Sequence, residues 1–177
     1  DPEQIVALLN RYFAAIEPVI RDERGIINKF GGDSVLAVFG APVASEGHAA
    51  AAVRAAIAMR AALAIFNEGE IARGAPALRI GIGVHTGEVV AGTVGSPNRM
   101  EFTVIGDVVN VASRVEGLCK QFGTDLLITA EVEQEVCDLF DVRAMAPVSV
   151  QGKSQPLSVF EVIGPLADRD ADSAEEP

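Results

Sequence analysis

Two short apolar runs, at residues 25–30 and 35–39, bracket the turn Gly31-Gly32-Asp33-Ser34. Apolar runs of strand length on either side of a glycine-rich turn predict a β-hairpin. Further strand-like runs lie at 79–84, 88–94, 102–105, 126–129, 142–150 and 157–163. Stretches predicted to be helical lie before and between the strands, at 2–22, 45–71, 107–122 and 131–139. Because helices and strands intermix without strict alternation, the sequence predicts an α+β fold with helices packed on a mostly antiparallel sheet.

The charge of the chain limits its partners. Its 177 residues carry a net charge of −11, and no run of Lys or Arg forms a basic stripe. We therefore do not expect it to bind a nucleic-acid backbone. An acidic chain that binds an anionic nucleotide has to concentrate positive charge locally, through metal ions, a few Lys or Arg side chains, or backbone N–H groups.

The cysteines and the apolar segments indicate a cytoplasmic setting. Cys119 and Cys137 do not form a C-x-x-C motif, and two thiols make a poor disulfide framework, so both are predicted to be small buried residues. The apolar-rich stretch at 49–66 contains Arg54 and Arg60 and is predicted to be a poor membrane span. Membrane contact is expected only through further domains of a parent protein.

Asp33 is a candidate metal ligand at the tip of the predicted hairpin. Gly31 and Gly32 keep other side chains away from it, and a carboxylate there can bind a hard cation such as Mg²⁺ while carbonyls and phosphates complete the shell. Asp is also common in ordinary turns. Lys29, four residues earlier, fits a ligand contact or a solvated lysine at the end of a strand.

The segment 99–114 has the densest set of polar candidates. A short strand containing Thr103 leads through Gly-Asp into a helix that carries Asn110 and Arg114. These two residues are four apart and share one helix face, where an amide suits a ribose and a guanidinium suits a phosphate. An exposed Asn–Arg pair in solvent is the alternative. Lys153, in a predicted loop between the last two strands, either reaches a polyphosphate or lies in water.

Residues 81–87, Gly-Ile-Gly-Val-His-Thr-Gly, are unusually rich in glycine for a strand. Glycine weakens a strand unless another backbone approaches closely, and a tight packing corner is the alternative. His85 has no second ligand at metal-binding spacing, so we predict a structural role for it.

Four segments follow one another in the order Lys-Phe-Gly-Gly-Asp, Gly-Ile-Gly-Val-His-Thr-Gly-Glu, Thr-Val-Ile-Gly-Asp-Val-Val-Asn-Val-Ala-Ser-Arg and Gly-Lys-Ser. In this order they resemble the catalytic domain of class III nucleotide cyclases over residues 1–164. The resemblance implies a ferredoxin-like α+β core of the βαββαβ type and a head-to-tail homodimer with active sites at the shared interface. Residues 165–177 are acidic, lack apolar periodicity and are predicted to be a disordered tail.

The resemblance implies that the chain converts ATP to 3′,5′-cyclic AMP and pyrophosphate, with two Mg²⁺ or Mn²⁺ ions per site. Asp33 matches the second of two metal-binding aspartates. Asn110 would orient the ribose, Arg114 would stabilise the transition state, and Lys153 would contact the terminal phosphates. In the family, the metal carboxylates come from one chain and the base-reading and transition-state residues from its partner.

Lys29 and Thr103 match the two residues that read the base in this family. A lysine donates hydrogen bonds and cannot accept them, so it suits the N1 acceptor of adenine and opposes the N1–H donor of guanine. The hydroxyl of Thr103 can accept from the 6-amino group of adenine. Guanylate-making relatives usually carry Glu and Cys at these positions, so the pair favours ATP, although Thr is less decisive than the Asp of many relatives.

One part of the family pattern is not found. In the family, the first metal aspartate lies on a strand before the first helix, and this chain begins at that helix. We therefore expect poor metal binding by the 177 residues alone, and a pseudo-cyclase that binds nucleotide or dimerises without turnover is an alternative. A guanylate cyclase is another, as is a diguanylate cyclase, because Gly31-Gly32-Asp33-Ser34 superficially resembles the Gly-Gly-Asp-Glu-Phe signature of that family.

Overall fold

The computed structural model describes residues 2–148 and 156–166. Within this part, the chain forms four helices, which are α1 (Pro2–Asp22), α2 (His48–Ala72), α3 (Asp107–Phe122) and α4 (Ala130–Val136). It also forms eight strands, which are β1 (Ile26–Gly31), β2 (Ser34–Val38), β3 (Ile82–Val84), β4 (Val90–Ser96), β5 (Arg99–Ile105), β6 (Leu126–Thr129), β7 (Phe140–Ala144) and β8 (Val159–Pro165).

The strands form one central sheet and two separate hairpins. The central sheet has the order β3-β6-β8-β7. In it, β3 and β6 run parallel, whereas β8 is antiparallel to both β6 and β7. The hairpins β1–β2 and β4–β5 are antiparallel. The predicted α+β fold with a mostly antiparallel sheet is therefore confirmed.

Strand β6 shows how the helices are fixed on the central sheet. All four of its residues are buried, as expected for a strand covered on both faces. Leu126 and Ile128 pack with Val53 of α2 in one apolar cluster, whereas Leu127 packs with Val115 of α3 in another. Because neighbouring side chains of a strand point to opposite faces, α2 and α3 lie on opposite sides of the sheet.

Glu70 ties α1 to α2. Its side chain is only 1% exposed, and Arg11 of α1 donates to both of its carboxylate oxygens, from Nε to Oε1 at 2.9 Å and from Nη2 to Oε2 at 2.8 Å. Arg73 also donates to Oε1 at 3.0 Å. These contacts, with the Arg11 hydrogen bond as the largest, lower the pKa of Glu70 below its ordinary value. The carboxylate is thus buried with its charge paired.

By length and composition, α2 could cross a membrane, a criterion that core helices of globular domains also meet. In this structure Val53 and Ala56 of α2 lie in the core. The two arginines of the helix make polar contacts, Arg54 with the carboxylate of Glu23 at 2.8 Å and Arg60 with Asp125 at 3.1 Å. The interpretation of this stretch as a poor membrane span stays a prediction.

Several predicted features differ in the structure; the strand predicted at 142–150, for example, is observed as β7 and ends at Ala144. The strand predicted at 79–84 begins only at Ile82, and the backbone of Leu78, just before the predicted strand, is bound by the side chain of Asn67. Cys137 was predicted to be buried but is exposed in the turn after α4, whereas Cys119 is buried as predicted. The last strand ends at Pro165, and the domain boundary at 164 stays a prediction. The predicted tail lies outside the described residues from 167 onward.

Candidate active site

The β1–β2 hairpin presents Lys29 and Asp33 to solvent. Lys29 pairs with Leu36 of β2, and Asp33 is the second of two residues in the turn between Gly31 and Ser34. The first turn residue, Gly32, has a φ of 69°, a left-handed conformation that glycine adopts without strain. Both charged side chains are exposed. The predicted hairpin is present, with the carboxylate at an open tip.

Helix α1 packs against this hairpin. Phe13 of α1 contacts Phe30 of β1, with ring centroids 4.5 Å apart. Burial, and to a smaller extent the negative charge of Asp33, raises the pKa of the neighbouring Tyr12 to about 12. Tyr12 therefore stays protonated near the Asp33 carboxylate. Sequence reasoning did not single out Tyr12, because an aromatic residue on an amphipathic helix indicates no more than a core position.

Asn28 brings the strand of Lys29 to the strand of Thr103. Thr103 lies in β5, and its hydroxyl donates to Asn28 Oδ1 at 3.1 Å. Asn28 Nδ2 donates to the carbonyl oxygen of Phe102 at 3.2 Å. Because β1 and β5 belong to different hairpins, this side chain bridges them. Sequence reasoning missed Asn28, although a polar residue inside the apolar run Ile-Ile-Asn-Lys-Phe was a signal for it.

Helix α3 follows β5 directly and carries Asn110 and Arg114. Its apolar stripe, including Val111 and Val115, is buried against the central sheet. Asn110 is exposed and Arg114 is half-buried, so the pair borders the buried stripe on the side open to solvent. Arg114 makes no ion pair with another described residue. Its guanidinium is therefore available to an anionic ligand.

Strand β3 approaches α3 backbone to backbone. A Cβ atom added at Gly83 would lie 2.5 Å from the carbonyl oxygen of Ala112, and closer still to the backbone nitrogen of Glu116. These two residues flank Arg114 in the helix. Gly83 is therefore required because a second backbone passes close to it, which is the reason proposed from the sequence for the glycine-rich segment.

The two histidines link elements of the fold. His85 Nδ1 lies 2.8 Å from Thr129 Oγ1 and 3.7 Å from a carboxylate oxygen of Glu131. His48 Nε2 lies 3.3 Å from Thr86 Oγ1. The contacts of His85 agree with the structural role predicted for it.

The contacts in the described part of the chain do not connect all of the candidate residues. No hydrogen bond or ion pair joins Asp33 to Arg114 in the described part of the chain, and Lys153 lies outside it. Two surface pockets, one beside His48 and one beside Asn10, include none of the candidate residues. Among residues 2–148 and 156–166, no group of three or more His, Cys, Asp and Glu side chains is placed to hold a metal ion.

The family model described as Adenylate and Guanylate cyclase catalytic domain matches residues 1–162. The chain belongs to this family. Adenylate cyclase 1 of Rhizobium meliloti is 40% identical to this cyclase domain over 164 residues, which are 93% of the domain and 25% of that protein. The adenylate cyclase of Anabaena cylindrica is 40% identical over 169 residues, covering 92% of the domain and 33% of that protein. The chain thus spans a quarter to a third of the length of these relatives.

Two solved structures resemble the domain over nearly its whole length. The adenylyl cyclase CyaB from P. aeruginosa superimposes with a TM-score of 0.86 at 31% identity, covering 96% of this chain and 86% of that one. The guanylyl cyclase Cya2 superimposes with a TM-score of 0.83 at 31% identity, covering 96% and 85%. Because an adenylyl and a guanylyl cyclase are equally similar in sequence to this domain, the fold alone does not determine which base it accepts.

Proposed function

We propose that the chain is the catalytic domain of a cytoplasmic adenylate cyclase, which converts ATP to 3′,5′-cyclic AMP and pyrophosphate between two copies of itself. The proposal rests on how the candidate residues are arranged in the fold. Lys29 and Thr103 lie on strands that Asn28 joins, and the helix with Asn110 and Arg114 follows the second of these strands directly. The two relatives at 40% identity, both named adenylate cyclases, support ATP as the substrate.

Lys29, Thr103 and Asn110 would bind the nucleoside. The exposed ammonium of Lys29 donates to N1 of adenine, and the hydroxyl of Thr103 accepts from the 6-amino group. The amide of Asn110, exposed on α3, hydrogen-bonds to the ribose and orients its 3′ oxygen. Holding the reacting groups in this way accounts for much of the rate in a phosphoryl transfer that needs little covalent chemistry from the protein.

Arg114 would stabilise the transition state. The ribose 3′ oxygen attacks the α-phosphorus in line. A new oxygen–phosphorus bond forms as the bond from the α-phosphorus to the β-phosphate oxygen breaks, pyrophosphate leaves, and the 3′ proton passes to water. The guanidinium of Arg114 donates to the phosphate oxygens, where negative charge develops. Lys153 would contact the terminal phosphates.

Asp33 fits one ligand position of Mg²⁺ or Mn²⁺, since its carboxylate is exposed at a turn and hard cations bind oxygen. When two such ions are bound, they lower the pKa of the 3′ hydroxyl and neutralise the triphosphate. The described residues offer no group of three or more ligands. Phosphate oxygens of the nucleotide and further carboxylates would therefore complete the coordination.

A second copy of the domain would complete the site. In the β4–β5 hairpin, Val90, Val94 and Ile105 lie on the same face as Thr103, because each pairs in register with a residue of that face. These three apolar side chains are 71%, 49% and 53% exposed. Covering them with a second copy would bury this face around the base and bring Arg114 toward the Asp33 of the other copy.

Turnover by Arg114→Ala tests the proposal. We expect the full-length protein to convert ATP with Mn²⁺ to cyclic AMP, identified by mass spectrometry, and the 177-residue chain, for which poor metal binding is predicted, is measured beside it. Arg114→Ala should lower kcat by about 10²–10³-fold, the cost of losing one donor to a developing oxyanion. Lys120→Ala is the matched control, because Lys120 is an exposed cation on the same helix, and its kcat should not change.

Mixing two inactive variants tests the shared site. Asp33→Asn and Arg114→Ala are each expected to be nearly inactive, and mixing them should restore roughly a quarter of wild-type activity if chains pair at random, since half of the dimers then contain one intact site. No recovery on mixing contradicts the shared site. ATP binding without any product indicates a pseudo-cyclase, and cyclic GMP or cyclic di-GMP as the product indicates a guanylate or diguanylate cyclase.

A further inference from the structure

We propose that Asn28 is a positioning residue that makes the hydroxyl of Thr103 a hydrogen-bond acceptor only, and that it thereby gives the site its preference for adenine over guanine. The inference rests on the proposed function, because it takes Thr103 to face the base. It assigns the discrimination between adenine and guanine to two residues. Thr103 contacts the base, and Asn28 determines whether the Thr103 hydroxyl donates or accepts.

Thr103 alone does not discriminate between the two purines. A threonine hydroxyl has one proton and two lone pairs, so it can donate or accept. It can accept from the 6-amino group of adenine, and after rotation about its C–O bond it can donate to the O6 atom of guanine equally well. A site built on a free threonine hydroxyl would therefore tolerate both bases at this position.

The hydrogen bonds of Asn28 remove this ambiguity. The carbonyl oxygen of Phe102 can only accept, so the amide nitrogen of Asn28 has to face it, and it donates there at 3.2 Å. The amide oxygen of Asn28 must then face Thr103, where it accepts the hydroxyl proton at 3.1 Å. Turning the amide around would set two oxygens against each other at Phe102. With its only proton committed, Thr103 offers a ligand nothing but lone pairs.

The backbone of β1 explains why Asn28 is available for this role. The register of β1 with β2 is irregular between Ile27 and Lys29, and such a bulge turns a side chain away from its normal position in the ladder. The side chain of Asn28 thus reaches across to β5, while the next residue, Lys29, pairs with Leu36 of β2. One short segment therefore supplies a donor in Lys29 and sets an acceptor in Thr103.

This donor and acceptor are complementary to adenine, which presents an acceptor at N1 and a donor at its 6-amino group. Guanine presents the reverse polarity at both positions, N1–H and O6, so it would meet a donor with a donor and an acceptor with an acceptor. Leaving such groups unpaired costs more than a hydrogen bond contributes. A purely structural bridge between the two hairpins would hold β5 in place without affecting the choice of base.

The ratio of kcat/KM for ATP to kcat/KM for GTP separates these two roles. Asn28→Ala frees the hydroxyl of Thr103, and we expect the ratio to fall about tenfold, the effect of one hydrogen bond of ordinary strength. Thr103→Val removes the hydroxyl and should lower the ratio similarly. The double variant should not fall below Thr103→Val alone, because Asn28 acts on the base only through that hydroxyl.

Asn67→Ala is the matched control. Asn67 also makes two hydrogen bonds through its side-chain amide. Its Nδ2 donates to the Leu78 carbonyl at 2.9 Å, and its Oδ1 accepts from the Leu78 amide at 2.8 Å. Neither Asn67 nor Leu78 is a candidate site residue. The loss of Asn67 should lower the melting temperature and leave the ATP/GTP ratio unchanged. A ratio that falls in Asn28→Ala but not in Asn67→Ala supports the proposal.

The outcomes distinguish this inference from the proposed function. If the wild-type protein neither turns over nor binds ATP and GTP, as measured by turnover and by calorimetry with non-hydrolysable analogues, both fail. If it prefers ATP and Asn28→Ala keeps that preference, only the role of Asn28 is overturned. Should Asn28→Ala not fold, Thr103→Val decides, because this isosteric change leaves the backbone in place, and an unchanged ratio refutes the inference.

Discussion

Gly83→Ala is expected to displace α3 and with it the two functional residues of that helix. The added Cβ would lie 2.5 Å from the carbonyl oxygen of Ala112, with the backbone nitrogen of Glu116 closer still. Ordinary contacts between such atoms begin at about 3.5 Å, so α3 has to retreat from β3 by roughly 1 Å. Both clashing atoms belong to the helix backbone and cannot move aside by a change of rotamer.

Two effects of different size follow from this displacement. Overpacking of a tight interior contact costs about 1–3 kcal/mol, and a backbone clash belongs at the upper end of that range. A loss of about 3 kcal/mol lowers the melting temperature of a domain of this size by roughly 10 °C. Arg114 lies between the two contacting residues, and a shift of about 1 Å in a reacting geometry can cost roughly 10²-fold in rate.

The assay combines thermal unfolding with cyclase turnover well below the melting temperature. Gly117→Ala is the matched control, because Gly117 lies on the same helix and a Cβ there meets nothing within 4 Å. This control should gain up to about 1 kcal/mol of stability from the better helix propensity of alanine. If Gly83→Ala melts at the wild-type temperature with wild-type activity, the backbone contact does not position α3 and the reasoning is wrong.

Two further predictions concern ionisable groups. The pKa of Glu70 lies below its ordinary value of 4.5, chiefly because Arg11 donates to its carboxylate. The stability that this pair contributes is therefore complete above pH 4.5. It is lost as the pH falls through the pKa of Glu70 in the folded state. Glu70→Gln should therefore lower the free energy of unfolding at pH 7 and weaken its decline in acid, measured by urea unfolding between pH 7 and pH 3, and an unchanged acid profile would contradict the assignment. Burial raises the pKa of Cys119 to about 11, so a thiol reagent at pH 8 should modify one cysteine per native chain and two in urea, with Cys137→Ser abolishing the native reaction. Rapid modification of two thiols in the folded protein would refute this.

Local patterns were sufficient where the structure depends on neighbours in the chain. The turn Gly31-Gly32-Asp33-Ser34 predicted the first hairpin, because a glycine with left-handed φ joins two apolar runs there. The sequence predicted α3 to within one residue of its observed bounds, Asp107–Phe122. Asn110 and Arg114 share a helix face for the same local reason. These features follow from backbone geometry and hydrophobic spacing within about twenty residues of each other.

Contacts between distant parts of the chain were not predictable in this way. The partners of Asn28 lie 74 and 75 residues away. The parallel pairing of β3 with β6 was likewise not specified by either strand alone.

The order of motifs along the chain was enough to identify the family and to name the residues that would read the base and stabilise the transition state. It could not say in which direction the hydroxyl of Thr103 points its proton, because that depends on Asn28 and on the carbonyl of Phe102, which only the fold brings together. A sequence records which hydrogen-bonding groups a chain has. Whether an ambivalent group donates or accepts is determined by the partners that surround it in three dimensions.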